Sequence, residues 1–563
     1  MFVFKILMEN NFYKNSCKNC QKDFTIEIDD SSFYNKIKVP TPSWCPDCRQ
    51  QRRYAWRNER TLYRRNCDLC GESTVTIYSP NKKLKVYCLS CWWSDKWDPS
   101  SYGIDFNFSQ TFFEQYKELQ KVVPRMALLN KNSVNSDYAN HSVDNKNSYL
   151  SFNTFRDEDV YYCTYMMHSK NCMDSSYIYE GGENLYECIE SRKLYNSEYC
   201  FQVKNSMDCY YCYDCRNCSN CFLSFNQRNK SYVFKNQQLT KEEYLEKIKE
   251  YDLSSYKTRQ ELYKEFIYLM SRQAIHKAVV GENNINTTGS GIYDCKNSKY
   301  CFDTQGTEDS NYIFGSDFLK NSLDCYHIGF NNELVYESHA CKGLYDCQFC
   351  HLCYDNQELK YCDTCHNSSN LFGCISIKKD EYMIFNKKYT KGQYLDLKEK
   401  IINHMIKTGE YGEFFPPQIS PVCYNETQGH YYMPLTKKEV VARGWLWEDE
   451  VSGVFGKETI QPENISDSIK EFSSSIIKEV LKCVVCSKNY NIIKEELDFY
   501  RHQNIPLPRE CPDCRYKRRF DLRLPRKLWD RKCMKCDKNI KTAYSPGRPE
   551  MIYCEECYKM EIY

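Results

Sequence analysis

Long apolar runs are missing from this sequence, since none approaches the roughly 20 residues that a transmembrane helix needs. The opening segment MFVFKIL is apolar, but it lacks the basic region and the cleavage site of a signal peptide. Met8 offers a second start for translation, which would make the first seven residues dispensable. We therefore expect a cytoplasmic protein that does not insert into a membrane.

Common catalytic motifs are missing as well. The sequence has no G-x4-G-K-[ST] phosphate loop, no G-x-S-x-G nucleophile elbow, no H-E-x-x-H and no H-x-E…P-C-x2-C. This absence argues against an enzyme, although repeat folds carry some lyases and hydrolases. An enzyme with its site on the central repeats is kept as a third hypothesis.

A strong net charge is also lacking, because the 563 residues sum to only +2. The charge is nevertheless unevenly distributed. Residues 17–91 and residues 483–557 each carry +6, which leaves −10 for the rest of the chain. Four thiolates around one Zn²⁺ make a site of about −2, so part of this basic excess would balance metal sites.

Cysteine is abundant, with 36 residues, and sixteen of them form one frame that occurs twice. Each copy contains two C-x2-C…C-x2-C quartets, with inner gaps of 24 and then 17 residues, and the copies lie 466 residues apart. The first copy consists of Cys17, Cys20, Cys45, Cys48, Cys67, Cys70, Cys88 and Cys91. The second consists of Cys483, Cys486, Cys511, Cys514, Cys533, Cys536, Cys554 and Cys557. Paired C-x2-C motifs without a secretion signal favour metal over disulfides, so the frame predicts four structural zinc ions.

Shared residues between the paired cysteines extend the likeness of the copies. C-x2-C-x3-F/Y, then F-Y, then P-x-P-x2-C-P-D-C-R resembles a zinc-ribbon domain family over about 35 residues of each copy. The wider layout is similar to bacterial proteins that carry several zinc ribbons around a cysteine-rich repeat centre. The resemblance implies zinc binding and brings no established activity.

Arginines follow each C-P-D-C motif at steps of one, three or four residues, which places most of them on one helix face. They are Arg49, Arg52, Arg53, Arg57, Arg60 and Arg64 in the first copy, and Arg515, Arg518, Arg519, Arg523 and Arg526 in the second. Interleaved aromatic residues make these segments candidate nucleic-acid contacts, since arginine binds phosphate and aromatic rings stack on bases. The alternative is that the arginines compensate the zinc–thiolate charge.

A second duplication, offset by 150 residues, occupies the centre of the chain. Asn-Ser and Asn-Cys pairs recur there near multiples of 11–12 residues, between short segments rich in Tyr, Phe and Cys. This pattern predicts short-coil β-solenoids. The central cysteines then fill a narrow core, bind further zinc or hold an iron–sulfur cluster, and spacing leaves these alternatives open. Cys347, Cys350, Cys362 and Cys365, near His351, are the candidate fifth zinc site.

The predicted fold is mostly β and multi-domain, with duplicated zinc-ribbon modules at both ends, two solenoid-like blocks and connecting helices. The predicted boundaries are 10–98 for the N-terminal module, 99–137 for a linker, 138–250 for repeat block 1, 251–287 for a helical connector, 288–404 for repeat block 2, 405–482 for an irregular and helical linker, and 483–563 for the C-terminal module.

Besides the enzyme hypothesis, two hypotheses for function follow from this layout. In the first, the protein binds RNA or DNA, or joins a ribonucleoprotein, through its arginine-rich zinc ribbons. In the second, it is a protein-interaction scaffold with purely structural zinc and a tyrosine-rich centre that contacts protein. Arginines on one exposed face would favour the first, and arginines folded back onto carboxylates would favour the second.

Overall fold

Short strands joined by tight turns dominate the described chain, and helices lie mainly in the terminal modules and after each repeat block. The computed structural model describes residues 12–451 and 453–563. The alternative start at Met8 therefore lies outside the described residues. The prediction of a mostly-β, multi-domain chain is confirmed.

The chain forms two compact units, and each unit is assembled from separate stretches of sequence. Unit 1 contains the described residues of Met1–Ala127, together with Val279–Asp449 and Arg526–Leu528. Unit 2 contains Leu128–Ala278, Glu450–Pro525 and Trp529–Tyr563. Each unit thus holds one terminal cysteine module and one repeat block.

The N-terminal module is built twice on one plan: an antiparallel hairpin flanks the first C-x2-C, and a helix begins at the second. The elements of this module and the segment after it are β1 (Phe12–Ser16), β2 (Asp23–Glu27), α1 (Ile28–Lys36), α2 (Pro46–Tyr54), β3 (Tyr63–Asn66), β4 (Ser73–Thr76), β5 (Val86–Tyr87), α3 (Leu89–Trp93), α4 (Phe112–Val122) and β6 (Arg125–Met126). Proline at the first position of α2 suits a helix start, because the N–H it lacks has no partner within the helix.

The parallel strands of repeat block 1 begin at Asn130, ahead of the predicted start at residue 138. An antiparallel end strand and two helices follow them, and the second helix lies in the predicted connector, beyond residue 250. Its elements are β7 (Asn130–Lys131), β8 (Ser142–Val143), β9 (Lys146–Tyr149), β10 (Phe152–Phe155), β11 (Glu158–Tyr161), β12 (Thr164–Met167), β13 (Ser169–Met173), β14 (Ser176–Tyr186), β15 (Ile189–Glu198), β16 (Lys204–Tyr210), β17 (Ser219–Phe222), β18 (Ser231–Phe234), β19 (Gln237–Gln238), α5 (Lys241–Lys249) and α6 (Tyr256–Arg272).

Repeat block 2 has the same construction and ends in one long helix. A short strand, β20 (Ile275–Lys277), precedes it in unit 2. The elements of the block are β21 (Gly281–Glu282), β22 (Gly289–Tyr293), β23 (Lys299–Gln305), β24 (Asn311–Phe314), β25 (Leu319–Lys320), β26 (Leu323–Tyr326), β27 (Asn332–Glu333), β28 (Lys342–Tyr345), β29 (Tyr354–Lys360), β30 (Ser369–Phe372), β31 (Glu381–Ile384), β32 (Lys387–Lys388) and α7 (Lys391–Thr408).

The C-terminal module repeats the plan of the N-terminal one, with helices that again begin at the second C-x2-C of each quartet. The remaining elements are α8 (Gln428–Tyr432), α9 (Lys437–Ala442), β33 (Leu481–Lys482), β34 (Asn489–Tyr490), α10 (Lys494–His502), α11 (Pro512–Leu522), β35 (Trp529–Lys532), β36 (Asn539–Thr542), β37 (Met551–Tyr553) and α12 (Glu555–Ile562). Strand β37 pairs in parallel with β20.

Parallel pairing in both blocks follows a register of about twelve residues. Lys146 pairs with Glu158, which pairs with Lys170, and Cys301 pairs with Ile313, which pairs with Cys325. Ladders of side-chain hydrogen bonds follow the same step, as where Asn147 Nδ2 donates to Asp159 Oδ1 over 2.8 Å. Each rung therefore presents equivalent positions of the sequence in a column.

A three-residue pattern runs within each rung. One residue in three has a left-handed backbone, and the residue after it is buried. In one stretch the left-handed residues are Tyr162, Tyr165, His168, Asn171 and Asp174, with φ between 48° and 58°. The residues that follow are Cys163, Met166, Ser169, Cys172 and Ser175, each at most 2% exposed. Left-handed backbone favours Asn and Asp, which explains their abundance, and the narrow interior favours small side chains such as cysteine.

Candidate metal centres and the arginine helices

The sixteen terminal cysteines come together in the four predicted groups, and within each group the Sγ atoms lie within 4.8 Å of one another. A tetrahedral zinc ion with Zn–S bonds of about 2.3 Å requires sulfurs about 3.8 Å apart. The groups match this spacing, with 3.8 Å from Cys20 to Cys45 and 3.9 Å from Cys70 to Cys88. The C-terminal distances are 3.6 Å from Cys486 to Cys511 and 3.8 Å from Cys536 to Cys554. The donor set therefore fits one tetrahedral metal ion in each group.

Backbone geometry shapes each group in the same way. The amide of the third cysteine donates to the sulfur of the first, over 3.2 Å from Cys45 to Cys17 and over 3.2 Å from Cys511 to Cys483. A residue with positive φ follows each first C-x2-C, namely Gln21, Gly71, Ser487 and Asp537. Amide donors of this kind stabilise a thiolate, which is the form that binds a metal.

In the first quartet of each module, one thiol has a lowered pKa. A hydrogen bond with Cys48 lowers the pKa of the Cys45 thiol to about 5. A hydrogen bond with Cys511 lowers the pKa of the Cys483 thiol to about 4. A thiol with a lowered pKa gives up its proton to a metal ion more readily.

The arginines of α2 lie against buried carboxylates of repeat block 2. Arg49 contacts Asp324 over 2.9 Å, and Arg53 contacts Glu337 over 2.6 Å. Arg52 also contacts Glu337, over 2.8 Å. These side chains are at most 3% exposed, so the helix is fixed to the block by an ion-pair network inside unit 1.

The arginines of α11 make the matching contacts in unit 2. Arg515 contacts Asp174 over 3.2 Å, and Arg519 contacts Asp174 over 3.1 Å and Glu187 over 3.0 Å. Arg518 contacts Glu187 over 2.9 Å. Asp174 and Asp324 are 150 residues apart, as are Glu187 and Glu337, so both partners of the contact are duplicated together.

Arg57, Arg523 and Arg526 also have carboxylate partners. Arg57 bonds to Glu59, Arg523 contacts Glu190 over 2.7 Å, and Arg526 contacts Asp303 over 2.8 Å. Arg60 is 9% exposed, whereas Arg64 is exposed. A guanidinium buried against carboxylates cannot also reach a phosphate. The arginines that follow the two C-P-D-C motifs therefore do not form one open basic face.

The central cysteines are placed differently from the terminal ones. Every cysteine from Cys163 to Cys374 is buried, and the four groups above are the only cysteine, histidine or acidic clusters of ligand geometry among residues 12–451 and 453–563. Cys347, Cys350, Cys362 and Cys365 are not among them, and their thiols donate to backbone carbonyls such as Tyr345 O and Gln348 O. His351 instead contacts Asp363 over 3.0 Å.

Sequence analysis did not identify the carboxylates that hold the arginines. Glu187 and Glu337 follow a duplicated tyrosine, and nothing local distinguishes them from turn residues. The available signal was the joint duplication: acidic residues matched at an offset of 150 and arginines matched at an offset of 466.

Comparisons with known proteins add little. No family model matches the chain, and no curated protein matches it. One solved structure, a Desulfovibrio desulfuricans protein described as a putative acetyltransferase, aligns at 9% identity over 47% of this chain and 68% of its own, with a TM-score of 0.10. That score supports neither a shared fold nor an activity. No helix in the described part of the chain is long and apolar enough to cross a membrane.

Proposed function

We propose that this protein is a metal-binding scaffold in which four zinc sites, each made of four cysteines, have a structural role. The observation that carries the proposal is the duplicated ion-pair network, in which arginines of each terminal module are buried against Asp174 and Glu187 or against Asp324 and Glu337. Each module thus uses its basic helix to hold a repeat block of its own unit. The metal folds the module, because so short a segment cannot bury enough apolar surface alone.

Each repeat block is proposed to be a short-coil β-solenoid. The parallel register of about twelve residues and the burial of every third residue support this assignment. Such a coil is too small to fold alone, so the stack needs protected ends and flanks. Tyrosines such as Tyr195 and Tyr345, which are 47% and 51% exposed, would give it a surface suited to a protein partner.

A reducing compartment such as the cytoplasm fits this assignment, because the sites need thiolates and all 36 cysteines are free. Nucleic-acid binding through the terminal modules is the competing proposal. To bind a phosphate, the arginines would have to leave their buried carboxylates, at the cost of leaving those carboxylates buried and unpaired.

One experiment separates the two proposals. Elemental analysis of protein purified without added metal should give four zinc ions per chain, and the same sample should carry no stoichiometric RNA or DNA. The variant with Arg52, Arg53, Arg518 and Arg519 changed to Gln should lose thermal stability, while a variant with exposed Lys517 changed to Gln should not. Co-purifying RNA that the fourfold variant releases while its fold and zinc content stay intact would overturn the scaffold proposal. Iron in place of zinc would overturn the metal assignment.

A further inference from the structure

A cleft in unit 1 lies between one face of α1 and the surface of repeat block 2. Its volume is about 480 Å³, which lies in the range of sites for small molecules. Asp29, Ser32, Phe33 and Lys36 line it from the helix, at the spacing of one helical face. The other wall is made by side chains of the block. The cleft is separate from the cysteine groups and from the arginine network.

Two adjacent columns of the block form that wall. One column contains Asn297 and Asp309, where Asn297 Nδ2 donates to Asp309 Oδ1 over 3.1 Å. The other contains Lys299, Asn311 and Leu323, which pair in register on neighbouring strands. The wall therefore offers amide, carboxylate and ammonium groups at a regular strand spacing of about 4.8 Å.

Hydrogen bonds hold this wall in place. Asn311 Nδ2 donates to Asp30 Oδ1 over 2.7 Å, and the Lys299 amide donates to Asn311 Oδ1 over 2.9 Å. Asp30 is only 3% exposed. Since both ends of the Asn311 amide are engaged, its orientation is fixed before any ligand arrives, which lowers the entropy lost on binding.

Unit 2 shows that this polar column is not needed for packing a module against a block. The column equivalent to Lys299, Asn311 and Leu323, at an offset of 150, is Tyr149, Tyr161 and Met173. Tyr161 is 8% exposed and Met173 is 0% exposed, and Tyr149 packs against the same core. The Asn-Asp column, by contrast, occurs in both blocks, where Asn147 donates to Asp159. The two units therefore differ in the Lys299 column, which has a lysine and an asparagine where unit 2 has two tyrosines.

The charges in the cleft indicate what it would bind. Asp29 and Asp309 contribute two carboxylates, and Lys36 and Lys299 contribute two ammonium groups. The Lys299 ammonium is paired with Glu27 and with Asp29, the latter over 3.7 Å, so the site has no excess of positive charge. Such a site does not favour a phosphate polymer, which needs an excess of positive charge. Alternating donors and acceptors along the wall match a ligand with many hydroxyl groups.

We propose that this cleft is a binding site for a neutral carbohydrate. The inference does not depend on the role of the metal sites, since no cysteine lines the cleft. It assigns to unit 1 a ligand-binding property that the tyrosine column of unit 2 does not support.

The test uses the full chain on an array of immobilised neutral oligosaccharides, including glucans, mannans, galactans and chitin fragments, with heparin and poly(U) RNA as anionic comparisons. Wild-type protein should be retained on at least one neutral glycan and should bind it in solution by calorimetry. Asn297→Ala should weaken this affinity at least about tenfold, because it removes a polar contact and the ladder that orients Asp309. Asn311→Tyr, which introduces the residue of unit 2, should have a similar effect.

The matched control is Asn147→Ala, at the position equivalent to Asn297 in unit 2, and it should leave the affinity within twofold of wild type. Zinc content and Tm verify that each variant is folded, and Asn297 is exposed, so its removal leaves the core intact. Retention on heparin or RNA alone, no retention on any neutral glycan, or equal losses in Asn297→Ala and Asn147→Ala would each overturn the proposal.

Discussion

The arginine helices of the two units both contact buried carboxylates, but solvent reaches their arginines to different degrees. In unit 1 the Arg52 side chain is 3% exposed and also contacts Glu413, over 2.6 Å, from the segment after repeat block 2. In unit 2 the equivalent Arg518 is 27% exposed, and its additional partner is Glu510 of its own module, over 3.2 Å. The contact with Glu337 or Glu187 is common to both units, whereas the second carboxylate partner and the exposure of the arginine differ.

The largest expected effect comes from removing a metal ligand in either unit. Cys45→Ser and Cys511→Ser should each lower the zinc content from four ions to three per chain and unfold the affected module, since binding free energy of structural zinc is folding free energy. Elemental analysis and calorimetry measure both effects. Cys350→Ser is the control, because Cys350 is buried outside the four groups. A zinc content of four in Cys45→Ser would contradict the assignment.

The next largest effect is expected at the shared carboxylates. Glu337→Gln leaves Arg52 and Arg53 without one charge partner, and Glu187→Gln does the same for Arg518 and Arg519. Breaking a buried pair on one side costs about 3–5 kcal/mol. Chemical denaturation should show a larger loss for Glu337→Gln, whose arginine partners are the more buried. Equal losses would mean that water access does not govern the contact.

A pH dependence should distinguish the blocks. Burial raises the pKa of Asp157 in block 1 to about 7, whereas the equivalent residue of block 2 is Thr307, which does not titrate there. When the pKa of a carboxyl is higher in the folded than in the unfolded protein, its contribution to the free energy of unfolding is complete below the unfolded pKa of about 4. That contribution is lost as the pH rises through the folded pKa of about 7. The wild-type protein should therefore lose at most about 4 kcal/mol of its free energy of unfolding between the unfolded and the folded pKa, and Asp157→Asn should not show this loss.

Measuring Tm of wild type and Asp157→Asn at pH 5 and pH 8 tests this expectation. The Tm of the variant, relative to that of wild type, should be higher at pH 8 than at pH 5. Parallel Tm changes in the two proteins would show that the Asp157 carboxyl keeps an ordinary pKa.

The smallest effect should be the difference in the free energy of unfolding between the Arg52→Gln and Arg518→Gln variants. Arg52→Gln should cost about 3 kcal/mol, the lower end of the range for breaking a buried pair, because Arg49 and Arg53 still contact Glu337. Arg518→Gln should cost about 1 kcal/mol or less, since solvent screens a partly exposed pair. Raising the salt concentration should reduce the stability loss caused by Arg518→Gln more than the loss caused by Arg52→Gln, because salt screens exposed charges more than buried ones. The opposite order of losses would contradict the comparison.

The cysteine frame could be predicted because metal knuckles are local. C-x2-C spacing, the turn after it and the helix start at the second pair each involve only a few neighbouring residues, and they recur at Cys17, Cys67, Cys483 and Cys533. The repeat could be predicted only in part. Asn-Ser pairs gave a period of 11–12 residues, but the underlying three-residue step was hidden because Ser, Met, Ile and Leu share the inward positions with cysteine.

The sequence by itself determined the four cysteine groups, the two duplications and the mostly-β class, because each rests on spacing between residues that are close along the chain or identical in two copies. Only the tertiary structure decided what the arginines do. Arg52 and Glu337 are 285 residues apart, and Arg519 and Asp174 are 345 apart. An exposed arginine helix and a buried one have the same spacing of arginines in the sequence. Which of the two forms depends on whether the fold brings distant carboxylates against the helix.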